Sequence, residues 1–545
     1  MEPYFVLRPE VGGVPHYEYR GGTVAVSDML GLDLAQRIRY VHQHSLIQLP
    51  DCQSPERSLK AARECLDAAR KGQDPVKHLT RALTQVHPDE EEMISEIQSE
   101  FEQLNLGGVK AKEEEKEEEE GGGDVRYKVE YREGVGRHVV AVSDIRAGEE
   151  IIRESAGVSC LHWSHRETNC SQCCVALPGS PATACPGCQE VFSKDSKIFL
   201  LILKYFQVLY CSLACLRLAA VHHRRECGQL QLLPGLGPLA PVCRIFTARS
   251  SEFFISRAGW FQQYDRTGDS EGQETTRRLF NLQAGSKRDS QYNITKAVYS
   301  YYLISILKKL KYFSDNSPAS LDSEHLTIGR FIDHFLRIAD DNCHEICQLE
   351  KPAVVAGKSF DELFEGEESV IRVVGVAIYP RISLFNNSCD VNTFKYHRGN
   401  REVIVARRDI RAGEEITDFY GEYFFQTSKL LRRRNLAFNC GCLACKEDWP
   451  LLDSLPTFDY EEVEARYDWA LARVALESAL SHLDLRCIAD LCLKLGDLVN
   501  VVGPHQAKVL PELYLSYSYL ALYGNQSLNF RQYNEAVLSN SNSTT

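Results

Sequence analysis

The sequence lacks a long uninterrupted apolar run and an excess of positive charge. Its longest apolar stretch, IFLLILKYFQVLYC at 198–211, is broken by Lys204 and is too short to span a bilayer. The opening residues, MEPYFVLRPEVGG, have no basic region followed by an apolar core and so predict no secretory signal. A net charge of -13 argues against DNA binding through bulk charge, although it is compatible with a locally basic groove. We therefore expect a monomer of the cytoplasm and nucleus, with no membrane partner.

Twenty cysteines stand out against this ordinary background. The chain of 545 residues is 44% hydrophobic and 25% charged, as soluble proteins are, and it is long enough for two to four domains. Eight cysteines lie between Cys170 and Cys227, and three more lie in CGCLAC at 440–445. Because intracellular thiols stay reduced, clusters with two-residue spacing indicate metal ligands rather than disulfides.

Composition and periodicity divide the chain into an α+β, multidomain arrangement. Apolar residues at three-to-four spacing, as in PERSLKAARECLDAARKG, predict that the N-terminal region is helical. EEEKEEEEGGGD predicts a linker, with an interaction tail as the alternative. Two strand-rich segments each contain the sequence DIRAGEE. The predicted segments are a helical region at 1–112, the linker at 113–124, strands at 125–168, the cysteine-rich block at 169–228, a mostly helical insert at 229–365, strands at 366–427, a cysteine knuckle at 428–448 and C-terminal helices at 449–545.

The cysteine-rich block contains four pairs of soft ligands. Such pairs place two donors on one tight turn, and four pairs are enough for two tetrahedral zinc ions. Buried free thiols are the alternative, but core cysteines have no reason to keep this spacing. His223 is preferred to His222 because its spacing to Cys227 matches, and Cys174 is left over. The pairs are Cys170 with Cys173, Cys185 with Cys188, Cys211 with Cys215, and His223 with Cys227.

A second cluster, Cys440, Cys442 and Cys445, lacks a fourth ligand for a closed zinc site. Another part of the chain must supply it. Cys389, in the stretch LFNNSCDVN that follows the apolar run VVGVAIYPRIS, is a candidate.

The cysteine block resembles the MYND zinc finger, including the YCS of 210–212. The resemblance implies that its two zinc ions interleave, one on Cys170, Cys173, Cys211 and Cys215 and the other on Cys185, Cys188, His223 and Cys227. The segment FSKDSKIFLLILKYFQV at 192–208 lengthens the finger beyond the family's usual size. It is either a real hairpin or an artefact of the gene model.

The region from 125 to 450 resembles the SET and MYND domain (SMYD) lysine methyltransferases. The matching stretches are GRHVVAVSDIRAGE, DNCHEI, YPRISLFNNSCDVNTF, ITDFYGEYFF and FNCGCLAC. The segments GRH at 136–138 and CLACKEDWP at 442–450 are most similar to the family's fourth, tetratricopeptide-bearing subfamily. The fold implied is a split SET β-fold with an inserted MYND finger, a helical SET-I insert, a post-SET zinc knuckle and a C-terminal helical lobe resembling tetratricopeptide repeats.

The resemblance also implies roles for individual residues. Tyr420 would be the catalytic tyrosine, and Cys389 would complete the post-SET zinc site, the third zinc of the chain. S-adenosylmethionine would be held by residues from five separate stretches. These are Val135, Gly136, Arg137 and His138 in a turn, Asn342 and Asn386 as hydrogen-bonding groups, Asn387 and Tyr420 beside them, and Phe438 near the adenine.

Three departures from the family pattern bear on activity. Asn387 replaces a histidine, Leu436 replaces an aromatic residue, and Val391 replaces a turn proline. We hypothesise that cofactor binding survives while lysine methylation is altered or weak. The first interpretation is a protein-lysine methyltransferase acting on histone or non-histone proteins. The second is an inactive adaptor whose finger binds proline-rich peptides in transcriptional regulation. A sequence-specific DNA-binding zinc finger is disfavoured, because the spacing is not C2H2 and the chain is acidic.

Overall fold

A computed structural model describes most of the chain between residues 5 and 454, with gaps. The described residues are 5–49 with short gaps, 59–71, scattered positions between 78 and 100, 126–177, 182–185, 188, 208–263, 274–284, 289–349, 371–451 apart from 422 and 437, and 454. Helices and mostly antiparallel sheets alternate through this part, so the α+β class is confirmed. The predicted linker, the segment at 192–207 and the C-terminal helices lie outside the described residues.

The described residues between 5 and 25 form a three-stranded antiparallel sheet, so the helical prediction is wrong there. Strands β1 (Phe5–Val11), β2 (Val14–Tyr19) and β3 (Gly22–Ala25) pair in that order. Their valines, tyrosines and threonine favour strands, and glycines separate the strands in the sequence. Helices α1 (Leu34–His44) and α2 (Leu59–Arg70) follow, as the periodicity predicts.

The strand-rich segments on either side of the cysteine block combine into shared sheets. One sheet has the order β12-β15-β5-β4, a second β13-β14-β6 and a third β10-β11-β7, while β8 and β9 pair separately. Each of the three larger sheets therefore joins strands from before the block with strands from after it. The strands are β4 (Tyr127–Arg132), β5 (Gly136–Ala141), β6 (Glu150–Ser155), β7 (Val158–Leu161), β8 (Thr183–Ala184), β9 (Leu209–Tyr210), β10 (Cys343–Leu349), β11 (Ile371–Ile378), β12 (Asn386–Asn387), β13 (Thr393–Arg398), β14 (Arg401–Ala406) and β15 (Glu415–Asp418).

The central segment is helical until Asn342 and then changes to a strand. The mostly helical prediction for 229–365 is therefore wrong for Cys343–Leu349, which pairs along its length with β11. The change of backbone occurs at Cys343, where φ is -77° and ψ is 130°. The helices of this part are α3 (Leu213–Glu226), α4 (Ala240–Thr247), α5 (Ser251–Ile255), α6 (Thr275–Phe280), α7 (Ser290–Lys309) and α8 (Ser323–Asn342), and the knuckle adds α9 (Lys429–Asn435) and α10 (Leu443–Lys446).

One buried cluster joins the helices to the sheets. Phe246, Phe254, Phe280 and Phe331 are fully buried within it, and it continues through Ile378 and Ile404 of the strands. Burial of such aromatic side chains is the main favourable term that holds the helical segment against the sheets. Among the described helices, none is both long enough and apolar enough to cross a bilayer.

Candidate functional site

A glycine turn begins the candidate site. Gly136 has a φ of +87°, in the left-handed region that glycine adopts most readily, and it starts strand β5. A Cβ atom at this position would lie 3.3 Å from Oε1 of Gln283, so a larger residue would crowd that side chain. Val135 precedes the turn and is exposed. The backbone of the turn is therefore not covered by a side chain at Gly136 and can be approached closely by a neighbouring group.

Two predicted asparagines lie against this turn. The Nδ2 of Asn386 donates to the carbonyl oxygen of Arg137 at 3.1 Å and to Glu415 Oε1 at 3.3 Å. The Nδ2 of Asn342 donates to the carbonyl of Gln283 at 3.0 Å. The structure thus brings Asn342, Gln283, the turn and Asn386 into one continuous group. His138 follows the turn in β5 and is buried.

Asn387 links this group to the predicted catalytic tyrosine. Its Oδ1 accepts the backbone N–H of Tyr420 at 2.9 Å, and its Nδ2 lies 3.4 Å from Sγ of Cys440. The two neighbouring asparagines therefore face different groups, one the glycine turn and the other the tyrosine and the cysteine knuckle. Both belong to β12, which pairs in parallel with β15.

The Tyr420 hydroxyl donates to the carbonyl oxygen of Phe385 at 2.9 Å. Its ring meets Phe438 edge-on, with centroids 6.2 Å apart, and both side chains are about two-fifths exposed, at 40% and 42%. Burial of the hydroxyl end and the nearby charge of Asp418 raise the Tyr420 pKa above its ordinary value, against an opposing effect of Lys395. The hydroxyl therefore stays protonated at neutral pH and acts as a hydrogen-bonding group rather than as a base.

A buried group of charges lies behind the tyrosine. The Lys395 ammonium is 2.7 Å from Asp418 Oδ2 and 4.0 Å from Glu402 Oε1. His344 Nδ1 and His397 Nε2 each lie 3.1 Å from Glu402 Oε2. Burial would raise the pKa of Glu402, but the charges of His344 and Lys395 outweigh it and hold the pKa well below its usual range.

The eight ligands predicted in the cysteine-rich block gather into two separate groups. In the first, Cys211 Sγ lies 3.6 Å from Cys173 and 3.5 Å from Cys215. In the second, Cys188 Sγ lies 3.3 Å from His223 Nε2. Two thiolates on one tetrahedral zinc ion are about 3.8 Å apart, given a Zn–S bond of about 2.3 Å, so these spacings suit zinc. The groups are Cys170, Cys173, Cys211 and Cys215, and Cys185, Cys188, His223 and Cys227.

Cys174 and His222, which the prediction leaves outside the two ligand groups, do not belong to either group in the structure. Cys174 is buried in the main hydrophobic cluster, with a positive φ of 60°. His222 is buried beside Arg244 and Glu226, and burial lowers its pKa to about 3. The preference for His223 over His222 thus agrees with the geometry.

Cys389 joins the three cysteines of the knuckle. Its Sγ lies 3.6 Å from Cys445 and 3.9 Å from Cys440, and the ligand atoms of all four cysteines lie within 4.8 Å of one another. Cys442 is the fourth member. All cysteines in the described part of the chain are free thiols, so the three clusters compete with no disulfide there. The asparagine-rich stretch therefore serves the glycine turn, the tyrosine and the cysteine knuckle together.

Sequence reasoning missed several residues of the site. Gln283 lies between two helices in a stretch without a sequence motif. Glu415 belongs to the repeated DIRAGEE, which predicts a turn and not a contact with Asn386. The group formed by Lys395, Glu402 and Asp418 was also missed, because single charged residues in strands predict solvent-exposed faces. Leu436, one of the departures, is buried at the end of α9.

Strands shared across an inserted segment, with the glycine turn, the asparagines and the tyrosine gathered at one place, define a SET-domain protein, and the SET domain family model matches residues 136–421. Histone-lysine N-methyltransferase SMYD3 of Homo sapiens is 24% identical over 408 residues, which cover 66% of this chain and 77% of that protein. Protein-lysine N-methyltransferase SMYD4 of Gallus gallus is 26% identical over 352 residues, which cover 53% of this chain and 44% of that protein. The chain belongs to the SMYD family of SET-domain proteins.

Proposed function

We propose that this protein is an S-adenosylmethionine-dependent protein-lysine N-methyltransferase acting on histone or non-histone proteins. The observation that carries the proposal is the arrangement around β12, where Asn386 binds the glycine turn and Asn387 binds the backbone of Tyr420. The names of the similar proteins, histone-lysine and protein-lysine methyltransferases, point to the same chemistry.

The turn at Gly136 fits the cofactor. A residue with a side chain would be strained at its φ of +87° and would crowd Gln283, so the site keeps the backbone bare, as close approach by a ligand requires. Val135, Gly136, Arg137 and His138 would hold S-adenosylmethionine along the backbone. Asn342, Asn386 and Asn387 would add polar contacts, and Tyr420 and Phe438 would add aromatic ones.

The residues around Tyr420 suit transfer of a methyl group to an amine. When bound, S-adenosylmethionine supplies the methyl group on a positively charged sulfur. A lysine that accepts this group must arrive as a neutral amine that has already lost a proton. The Tyr420 hydroxyl donates its proton to the Phe385 carbonyl at 2.9 Å, so both oxygens keep lone pairs that can accept the two N–H groups of that amine and leave the nitrogen lone pair free to face the methyl group.

We propose three structural zinc ions. Two would belong to a MYND finger at 169–228, and the third would tie the post-SET knuckle at 428–448 to Cys389. Each cluster offers four donors, which closes a tetrahedral site and leaves no position open for catalysis. The rest of the domain division also stands as a proposal: SET strands at 125–168 and 366–427, the SET-I insert and the C-terminal lobe. We propose cytoplasmic and nuclear location and a monomeric state.

A catalytically weak adaptor is the second candidate function. Two observations favour it. Asn387 already uses both ends of its side chain, on Tyr420 and Cys440, and buried Leu436 has no hydroxyl to offer. In this case the finger would bind proline-rich partner peptides in an extended form, and the SET core would serve as scaffold.

Calorimetric titration with S-adenosylmethionine tests the cofactor site. We expect saturable binding by the zinc-loaded protein, and loss of binding by at least about tenfold in Asn386→Ala, which removes a contact to the turn. Asn293→Ala is the matched control, because Asn293 binds Arg337 in the helical segment. Absence of binding by folded wild-type protein would reject the enzyme and favour the adaptor.

A second measurement separates the two candidates. Radiolabelled methyl transfer to core histones and to a cell extract would be compared between wild type and Leu436→Tyr. An enzyme with an altered pocket transfers label in both proteins and faster in the variant. An adaptor transfers none in either, while a proline-rich peptide binds it and loses binding in Cys185→Ser.

A further inference from the structure

Lys395 is a partly buried cation, with 27% of its side chain exposed, and it has no part in the roles proposed above. It lies on β13, and its ammonium contacts Asp418 Oδ2 at 2.7 Å, with Glu402 Oε1 at 4.0 Å. The Asp418 side chain is 3% exposed and that of Glu402 is 0% exposed. Buried carboxylates are costly unless they are paired, so this ammonium is part of the folded structure rather than a loose surface contact.

Two imidazoles lie against the other side of Glu402, and His397 hydrogen bonds to it. His344 reaches it from β10 and His397 from β13, both at Oε2. Oε1 has no hydrogen-bond partner in the described part of the chain, and it is the atom that faces Lys395. The carboxylate is thus fixed in orientation, and its unbonded oxygen points at the lysine.

The same three carboxylate and imidazole side chains could hold a metal ion. The ligand atoms of His344, Glu402 and Asp418 all lie within 4.8 Å of one another. The Lys395 ammonium, however, already contacts Asp418 at hydrogen-bond distance. The lysine therefore supplies the positive charge that these two carboxylates need, which a metal ion would otherwise supply.

Asp418 connects this charge to the tyrosine. While Oδ2 binds Lys395, Oδ1 accepts the N–H of Phe419 at 2.7 Å. The Asp418 carbonyl accepts the N–H of Ser388 at 3.0 Å, and Asp418 pairs with Asn387 across the parallel strands. Asp418 is the last residue of β15, and its hydrogen bonds fix the direction of the backbone that follows. Tyr420 lies two residues further along the chain.

We propose that Lys395 is a positioning residue for Tyr420, acting through Asp418. The expected effect on kcat rests on the proposed methyltransferase function, whereas the expected effect on the backbone around Tyr420 does not. With the ammonium in place, Asp418 holds the turn at Phe419, and the Tyr420 N–H reaches Asn387 Oδ1 at 2.9 Å. Without the ammonium, the buried carboxylates of Glu402 and Asp418 repel each other. Asp418 then turns away from Glu402 and loses its hydrogen bond to the N–H of Phe419.

The test combines amide exchange with kinetics in the full-length, zinc-loaded protein. We expect Lys395→Met to speed amide exchange at least about tenfold in the peptide covering 417–421. It should lower kcat for methyl transfer about a hundredfold, the scale of effect that a misplacement of about 1 Å produces. Affinity for S-adenosylmethionine should change less than about threefold. Arg337→Met, which breaks an ion pair with Asp333 inside α8, is the matched control and should alter neither quantity.

The double variant Lys395→Met with Asp418→Val separates positioning from simple stabilisation. Removing both partners relieves the unpaired charge, so stability recovers towards wild type. Exchange at 417–421 should stay fast and kcat should stay low, because the hydrogen bond to Phe419 is still missing. Recovery of exchange and kcat together with stability would overturn the proposal, as would unchanged exchange in Lys395→Met. Failure of wild type to bind S-adenosylmethionine would reject the proposed function instead, and the exchange result would still decide the role of Lys395.

Discussion

Ile145 and Ile410 hydrogen bond to each other's backbone in both directions, at 2.8 Å each way. Each lies in a copy of DIRAGEE, and the surrounding contacts are reciprocal too. Asp409 Oδ1 accepts the N–H of Ala147 at 2.9 Å, while Asp144 Oδ1 accepts the N–H of Ala412 at 2.8 Å. The repeated sequence is thus a clasp, defined here as residues 144–150 and 409–415, which joins the two halves of the SET domain.

Removing one carboxylate of the clasp should weaken the join. We expect Asp144→Ala and Asp409→Ala each to lower the free energy of unfolding by about 1 kcal/mol, since each loses one hydrogen bond from a backbone N–H to a charged oxygen at the surface. The midpoint of chemical denaturation measures this. Asp144→Asn and Asp409→Asn keep an acceptor and should lose less. An alanine variant as stable as wild type would show that the carboxylates do not hold the clasp.

Zinc content should follow the three cysteine clusters. We expect three zinc ions per chain by metal analysis, and two in Cys389→Ser, because a three-ligand site binds much more weakly than a closed one. Cys347→Ser is the control, since Cys347 belongs to none of the three cysteine clusters, and it should keep three. An unchanged zinc content in Cys389→Ser would mean that the knuckle takes its fourth ligand elsewhere.

A glycine at the β13–β14 turn should matter for the first cysteine cluster. A Cβ at Gly399 would clash with the Cys173 carbonyl oxygen, and the backbone N–H of Asn400 donates to that oxygen at 2.7 Å. Gly399→Ala should therefore cost more than about 2 kcal/mol of stability and speed the release of zinc to a chelator. Gly413→Ala is the matched control. Gly413 also has a positive φ, but nothing lies within 4 Å of its Cβ position, so we expect a cost of only about 1 kcal/mol and unchanged release. Equal effects of the two substitutions would exclude the contact with Cys173 as the cause.

Glu154 should make stability depend on pH. Its carboxylate accepts the backbone N–H of Arg381 at 3.0 Å and of Ile382 at 2.8 Å, just before the asparagine-rich stretch. Burial raises its pKa from 4.5 to about 7, against the lowering effect of these hydrogen bonds. Between those values the folded chain keeps a proton that the unfolded chain releases, so rising pH favours unfolding. This residue should cost about 2 kcal/mol of stability between pH 5 and pH 8.

Glu154→Gln tests this dependence because the amide does not titrate. Its stability should fall less than that of wild type over the same pH range, as measured by denaturation at each pH. Exposed Glu252→Gln serves as the control and should follow wild type. Parallel curves for wild type and Glu154→Gln would mean that Glu154 is ionised throughout the range.

Most residues predicted for the candidate site lie together in the structure, whereas some predicted boundaries of helices and strands differ from those observed. Cysteine and histidine at fixed spacing have few alternative explanations, so the three clusters could be assigned before the structure. The asparagines and Tyr420 could be placed only through the family resemblance. Gln283 and Lys395 could not be found, because their roles depend on residues that are distant in the chain.

The errors at the segment boundaries have a similar origin. The helical periodicity of residues 59–70 does not extend to the start of the chain. There, valines and tyrosines favour the strands that the structure shows. Cys343–Leu349 falls within the segment predicted to be mostly helical, and it directly follows α8. Its strand conformation depends on pairing with β11, a tertiary contact that local propensity does not contain.

Pairing of β5 with β15 also constrains the order of events during synthesis. Strand β5 leaves the ribosome long before β15 exists, so its hydrogen-bonding edge has no native partner while the cysteine-rich and helical segments are made. At translation rates of roughly 5–20 residues per second, that interval lasts on the order of tens of seconds. The SET domain can be completed only at the end of this interval. The edge of β5 that pairs with β15 in the folded protein therefore lacks this partner throughout that interval.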